Sequence, residues 1–416
     1  MYTEEVGTTW AGTHAFRASG LHLPRTLAEA ADIIASHDRI RAVGSRHSFN
    51  DIADGHVQIS LEGIPADFDL NADARTVTVG SRATYGAVAA WLHERGWALR
   101  NMGSLPHISV GGASATGTHG SGDSNRVLAD AVAAVSLITA DGTTRDLDRS
   151  DSVFPGVVLS LGALGVISRL TLDVEPAYDV RQDVYTKIDW DAVISQLDVV
   201  MASGYSVSVF TTWDEPTVSR ILVKSRIDAD GAVPDELLGA ARLTSEDPAI
   251  AALGANRTLQ GGVPGPWLHR LPHFRGDVEP SNGDEIQSEY FVARGDGPAA
   301  VSALRSLATE IAPHLIATEI RSVAADTLWL SPSYRQPTLG IHFTWRNHPD
   351  AVAALLPRIE QLLEPFQARP HWGKVYAMAA SALPRRYPKF ADFAALRARF
   401  DPSGKFMNDY LHRVFD

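Results

Sequence analysis

The chain has no cysteine among its 416 residues. Disulfides, thiolate metal sites and any cofactor anchored through sulfur are excluded at once. Long apolar runs are missing as well: none approaches the roughly 18 residues that a membrane span requires. The opening Met1-Tyr2-Thr3-Glu4-Glu5 lacks the basic segment and apolar run of a secretion signal, so a cytoplasmic location without a membrane partner is the expectation. Positive charge is in deficit. The formal net charge is -12, and long-range repulsion disfavours nucleic acid as a partner. No G-x-G-x-x-G sits between a strand and a helix, which removes a Rossmann turn, and a P-loop is absent too. His93-Glu94 lacks the second histidine of H-E-x-x-H, which argues against a metal-dependent hydrolase.

What is present is a globular composition, 45% hydrophobic and 21% charged, in a chain too long for one comfortable core. Two domains follow. Two stretches rich in glycine and hydroxyls stand out: Gly44-Ser45-Arg46-His47-Ser48-Phe49 and Gly111-Gly112-Ala113-Ser114-Ala115-Thr116-Gly117-Thr118-His119-Gly120-Ser121-Gly122. Small residues let the backbone approach an anion, and Ser and Thr hydroxyls add donors without bulk, so the pair reads as two halves of a phosphate cradle. One such loop alone usually serves only a turn. The first follows the strand-like Ile40-Arg41-Ala42-Val43; the second carries no helix-forming pattern and reads as irregular backbone.

The spacing along the chain predicts an α+β architecture. A helix is expected over 26–36, strands over 40–43, 57–60 and 76–79, a helix over 85–95, and longer strands over 130–139 and 166–174, with Asp141-Gly142 as a hairpin turn. Glu175-Pro176 is the expected boundary, giving a first domain over 1–175. Beyond it, strands over 206–211, 286–291, 317–321 and 339–345 alternate with helices over 299–311 and 351–366, an antiparallel sheet covered on one face. Residues 228–260 read as a surface excursion. Glu319 and Arg321 are two apart in a strand, so their side chains share a face, as do those of His342 and Thr344. Charged pairs of this kind are most often solvated or bonded to each other.

A third signal lies in His371-Trp372-Gly373-Lys374 and Gly404-Lys405-Phe406-Met407-Asn408. With these motifs the chain resembles the alditol oxidases, flavoenzymes of the vanillyl-alcohol-oxidase superfamily that share a C-terminal region with sugar-lactone oxidases. The resemblance covers nearly the whole chain. It runs from Trp10-Ala11-Gly12 through both loops, Asn101-Met102-Gly103-Ser104-Leu105-Pro106-His107, Gly265-Pro266-Trp267 and Leu271-Pro272-His273-Phe274-Arg275. It continues in Gln287-Ser288-Glu289-Tyr290, Glu319-Ile320-Arg321 and His342-Phe343-Thr344-Trp345.

The resemblance implies a two-domain flavoenzyme: an FAD-binding domain, a substrate domain over 176–370 and a segment over 371–416 that returns to the FAD-binding domain. It implies FAD bonded covalently to His47. Val43, Gly44, Ser45, Arg46, Ser48, Ser104, Ser109, Gly112, Thr116, Gly117, Thr118, His119, Val166 and His371 would hold the rest of the cofactor. Ser104, Glu319, Arg321, His342, Thr344 and Lys374 would bind a polyol, with Arg321, Lys374 and His342 taking part in catalysis and with a cationic end to the cavity. Which of His342 and Lys374 accepts the hydroxyl proton stays open, because both pKa values depend on burial. The implied reaction takes an alditol such as xylitol or sorbitol to the aldose and oxygen to hydrogen peroxide, in a chain expected to work as a monomer. Oxidation of an aldono-1,4-lactone is the alternative, and a sugar-binding protein without redox chemistry a more distant one. Two positions depart from the family pattern. Arg46 stands where the family has glycine, which strains the loop if that position needs positive φ, unless the side chain pairs with phosphate. Gly103 stands where the family has alanine, beside the approach of oxygen.

Overall fold

The computed structural model describes residues 1–229, 233–245, 256–278 and 284–416. Near the start of the chain, helix Leu27–Ser36 buries Ala30 and Ile34 and is capped by Thr26, whose side chain accepts from the Glu29 amide. It feeds strand Arg41–Ala42, which pairs in parallel with Gln58–Ile59. The buried Arg41 guanidinium hydrogen-bonds the carbonyls of Ile52, Leu161, Gly162 and Phe406, tying three other segments of the chain to the strand that leads into the first glycine-rich loop. Beside this lies an antiparallel sheet in the order Phe68–Asn71, Thr76–Gly80, Val166–Asp173, Val132–Ile138, Thr144–Asp148. Gly142, with φ 81°, makes the expected hairpin turn.

The second glycine-rich stretch corrects the expectation of irregular backbone. Residues Val110–Thr116 form an α-helix, with Ser109 at its N-cap position and Gly117 closing it in the left-handed conformation at φ 74°. Packing overrides the poor helix propensity of glycine here. A Cβ on Gly111 would lie 2.8 Å from the Ser81 Cβ, so only glycine lets this helix approach the sheet.

The larger sheet is antiparallel throughout, in the order Gly265–Pro266, Asp179–Tyr185, Arg220–Arg226, Ser206–Thr211, Leu315–Val323, Thr338–Arg346, Glu285–Ala293, Arg369–Pro370. Strands Asp179–Tyr185 and Arg220–Arg226 were not legible as strands: both carry charged residues at positions that the sheet buries, Asp183 and Lys224 among them. Helix Pro349–Leu363 covers one face with Val352, Leu355, Leu356, Ile359 and Leu363. The helix expected over 299–311 is two, Gly297–Arg305 and Ala308–Ile311. In the expected excursion over 228–260, Glu236–Leu237 pairs with Ala240–Ala241 and Thr258 is buried, while residues 230–232 and 246–255 lie outside the described residues.

Two main hydrophobic clusters result. One takes residues from Ile52 to Val180, then Trp267, Leu271, Phe291, Val323, Leu328 and Leu330, together with Phe393, Leu396, Leu411 and Val414 of the last helices; the other takes residues between Tyr185 and Ala368. Lys405 anchors the returning segment through the carbonyls of Ile34 and Ala140.

Candidate active site

A large cavity, about 750 Å³, runs between the two glycine-rich stretches and the open face of the large sheet. At one end the two stretches are stitched together by serines. The Ser109 amide donates to Ser45 Oγ at 2.9 Å, and a Cβ on Gly44 or Gly112 would fall 2.7 or 2.9 Å from Ser109 Oγ. Val43, Gly44, Ser45, Arg46, His47, Ser48, Ser104, Ser109, Gly112, Thr116, Thr118, His119, Val166 and His371 all line the cavity, as expected. Gly117 and Gly103 do not. Gly117 ends its helix facing Leu159, and the space where Gly103 would carry a side chain faces Ile108 and Thr118, one layer behind the wall.

His47 is the most informative residue at this end. Its ring stacks on Trp10 with centroids 5.2 Å apart, yet both Nδ1 and Nε2 are buried and have no hydrogen-bond partner. Burial pushes its pKa down to about 4, against the nearby Ser45 backbone, which favours the proton, so the ring is neutral. An imidazole buried without partners is costly, and a bound group that takes one nitrogen removes that cost. Together with the small-residue cradle, this fits a flavin attached through His47. Arg46 has φ 64°, so the backbone here does require the conformation that glycine adopts most readily. Its guanidinium donates to the Val6 carbonyl at 2.9 Å and lies 5.8 Å from the Phe16 ring.

The other end is built by register. Glu319 lies opposite His342, and His342 opposite Glu289, so three adjacent strands set these side chains in one row on one face. Arg321 follows two residues after Glu319 and lies opposite Gly340. A Cβ on Gly340 would come within 3.2 Å of Glu289 Oε1, so glycine leaves room for the carboxylate. Lys374 arrives from the turn 371–374, closed by its own amide donating to the His371 carbonyl at 3.1 Å. That turn docks on the first loop, where Asn50 donates to the carbonyls of Trp372 and Lys374.

Glu289, 1% exposed, is the hub. Its Oε1 accepts from Arg321 Nη2 at 2.9 Å and lies 3.0 Å from His119 Nε2, while Oε2 accepts from Lys374 Nζ at 2.6 Å. Burial alone would raise its pKa, but Lys374, His119 and Arg321 hold it well below the usual carboxylate range. Glu319 is the same case: burial opposes ionisation, and Arg321 and His273 enforce it. The cationic end expected from sequence is therefore a balanced cluster, because buried cations persist only where carboxylates pair with them.

Hydrogen-bond directions fix proton positions. His119 Nδ1 lies 2.7 Å from the Gly120 carbonyl and Nε2 faces Glu289, two acceptors for one ring; burial pushes its pKa down against the pull of Glu289, and the neutral ring donates to one of them at a time. His342 Nδ1 lies 2.6 Å from Lys374 Nζ and Nε2 3.0 Å from Thr344 Oγ1. Burial, then Lys374, pushes His342 down to about 4, which leaves Nδ1 as acceptor for the lysine. Ser104 Oγ accepts from Arg321 Nη1 at 3.3 Å. All six expected substrate residues thus meet in one cavity.

Sequence reasoning assigned no role to Glu289, His273 or Lys224. Glu289 and His273 line the same cavity. The signal for Glu289 was an acid inside the otherwise strand-forming Ser288-Glu289-Tyr290-Phe291-Val292, where burial demands a partner.

Residues 284–414 match the D-arabinono-1,4-lactone oxidase family and residues 18–148 the FAD binding domain family. Among curated proteins, the alditol oxidase of a Streptomyces species is 43% identical over 98% of this chain and 99% of its own. An L-gulono-1,4-lactone dehydrogenase of Mycobacterium tuberculosis is 29% identical over 98% of this chain and 99% of its own. Among solved structures, a cholesterol oxidase from B. sterolicum superposes with a TM-score of 0.79, covering 100% of this chain and 97% of its own at 14% identity, a likeness of fold alone.

Proposed function

The chain belongs to the alditol oxidase family of FAD-dependent oxidoreductases, and from that premise we propose that it oxidises the terminal CH2OH of an alditol such as xylitol or sorbitol. The balance is RCH2OH + O2 → RCHO + H2O2. The observation that carries this reading is the row Glu319, His342 and Glu289, with Arg321, Thr344 and Lys374 beside it, facing the cavity that His47 also lines. Each hydroxyl of a buried polyol must recover the hydrogen bonds it loses from water, and this wall offers donors and acceptors in alternation.

Bound FAD supplies the acceptor for the hydride lost from carbon, and its reoxidation by oxygen yields the peroxide. His47 would form the covalent link to it, and the serine and glycine cradle would hold its phosphates. Arg321 and Lys374 stabilise the alkoxide-like charge on the reacting oxygen. Lys374 takes the hydroxyl proton as it hands its own to His342 Nδ1, where Glu289 Oε2, 3.6 Å away, stabilises the imidazolium formed. Glu319, Thr344 and Ser104 orient the remaining hydroxyls. The domain limits at 175/176 and 370/371, action as a monomer and a cytoplasmic location are part of the same proposal. The first cluster continues past residue 175 through Tyr178 and Val180 and packs Trp267, Leu271 and Phe291 against it, so the two domains share a buried seam, and among the described residues no helix is long and apolar enough to cross a membrane.

A second reading, oxidation of an aldono-1,4-lactone, draws support from the family match over 284–414, which contains Glu319, Arg321, His342, Thr344 and Lys374. Anaerobic addition of xylitol to one sample and of a sugar lactone to another separates the two. Bleaching of the flavin absorbance by xylitol is expected; bleaching by the lactone alone would overturn the polyol reading.

A further inference from the structure

Lys224 lies behind the substrate wall, on strand Arg220–Arg226, and is 1% exposed. A protonated lysine has three hydrogens to place, and here it has three acceptors: the carbonyls of Leu271 and Pro272, at 2.5 and 3.3 Å, and His273 Nδ1 at 3.2 Å. His273 in turn contacts Glu319 Oε1 through Nε2 at 2.7 Å. These contacts form one directed chain. If Lys224 donates to Nδ1, that nitrogen carries no hydrogen, and the hydrogen of the neutral ring sits on Nε2, aimed at Glu319.

We infer that Lys224 is a positioning residue for polyol binding: it holds His273 in the Nε2–H tautomer, so that His273 donates to Glu319 and leaves the other carboxylate oxygen to the substrate. This inference rests on the proposed role of Glu319 at the site. His273 does not change charge in the working range, because burial, then Lys224, pushes it down to about 4. The group that titrates is Lys224, which burial lowers to about 7. The charges that reach Lys224 are Glu319, which favours its proton, and Arg321, which disfavours it, both on strand Leu315–Val323. On the flanking strands its partners in register are Gln182 and Ser206, neither of which titrates. Once neutral, Lys224 keeps two hydrogens for the two carbonyls and turns a lone pair to His273. The Nδ1–H tautomer is then favoured, and the Nε2 lone pair faces the Glu319 carboxylate. Polyol binding weakens as pH rises through about 7.

The test uses the flavin-loaded enzyme with xylitol and, separately, nitrogen-15 NMR of labelled histidine, with the His273 signals assigned by their loss in His273→Gln. A hydrogen bond to a charged group is worth about a tenfold change in binding. The expected result for the unaltered enzyme is a KM for xylitol that rises about tenfold between about pH 6 and about pH 8.5 while kcat changes little. Lys224→Met should show the high KM at both pH values, and Lys224→Arg, which keeps its proton, the low KM at both. In the spectra, the Nε2–H tautomer should dominate at about pH 6 and give way across pH 7, and this change should be absent from Lys224→Met. An Nε2–H tautomer that persists in Lys224→Met, or a KM there that follows the unaltered enzyme with pH, would overturn the inference and leave Lys224 as a brace for the 271–273 loop. If xylitol is not a substrate, the proposed function fails separately, and the spectra still decide the tautomer.

Discussion

Lys374 Nζ lies 2.6 Å from His342 Nδ1, and the same ammonium reaches Glu289 Oε2 at 2.6 Å. A buried lysine placed between a neutral imidazole and a carboxylate has a route for a proton on either side. Lys374→Met should therefore slow anaerobic flavin reduction by xylitol by about 100- to 1,000-fold, and Arg321→Ala should do the same, the usual range for one preorganised donor. Stopped-flow absorbance measures this step directly. FAD content close to that of the unaltered protein, with reduction also unchanged in both variants, would reduce their contacts with Glu289 to structural pairing.

Glu289 carries a prediction of its own. Removing its charge leaves Lys374 and Arg321 buried with less compensation, and breaking a buried pair costs about 3 kcal/mol or more. Glu289→Gln should lower unfolding free energy by that order in a denaturant titration. The same variant should slow flavin reduction, because the imidazolium of His342 loses its counter-charge. A Glu289→Gln protein as stable as its parent would mean that Arg321 and Lys374 find compensation elsewhere.

How much of this site could be read from sequence follows from how local each relationship is. Glu319 with Arg321 and His342 with Thr344 are two residues apart, and strand geometry alone puts each pair on one face. The bond from Glu289 to His119 spans 170 positions and that from Lys224 to His273 spans 49. No spacing rule reaches so far, and pairing was settled by strand register and by a loop folding back. Helix Val110–Thr116 was hidden for another reason: its glycines are poor helix formers, and close contact with Ser81 selects Gly111 and with Ser109 Oγ selects Gly112. Strand Arg220–Arg226 was hidden because Lys224 reads as a solvent-facing residue until its three acceptors are seen.

The first glycine-rich loop yields a test of the proposed flavin linkage. His47→Ala should release all flavin on acid denaturation, whereas the unaltered protein should retain it. Arg46→Gly should also retain it, since φ 64° suits glycine and the guanidinium already donates to the Val6 carbonyl. Relief of the left-handed conformation, about 1 kcal/mol, works against loss of the Val6 contact, so stability should change little. Flavin appearing wholly in the supernatant of the unaltered protein would sink the covalent assignment.

Acid should destabilise the fold in a defined window. His273 and His342 are both pushed to about 4 by burial, below the ordinary 6.5, so the unfolded chain binds more protons between these values. Their contribution is fully present above pH 6.5 and is lost as pH falls toward 4, about 3 kcal/mol for each. Glu289 and Glu319, held low by their cations, extend the loss further below the ordinary carboxylate range. Thermal midpoints should fall from about pH 6.5 downward. A midpoint that stays level to pH 4.5 would show these histidines charged in the folded state.

The proposed role of Gly103 in oxygen access can be tested. It lies behind Ile108 and Thr118, with the nearest atoms 3.5 and 3.6 Å from where a Cβ would sit, so alanine would make ordinary contacts there. Leucine would not. Its added volume must displace Ile108 or Thr118, both of which line the cavity, and a close-packed wall transmits that shift inward. If oxygen passes on this side, Gly103→Leu should slow reoxidation by oxygen more than it slows anaerobic reduction by xylitol, whereas Gly103→Ala should leave both nearly unchanged. Stopped-flow mixing of the reduced protein with air-saturated buffer separates the two half-reactions. Equal slowing of both by leucine would make Gly103 a packing position, and reduced flavin that persists for minutes in air in the unaltered protein would make this enzyme a dehydrogenase.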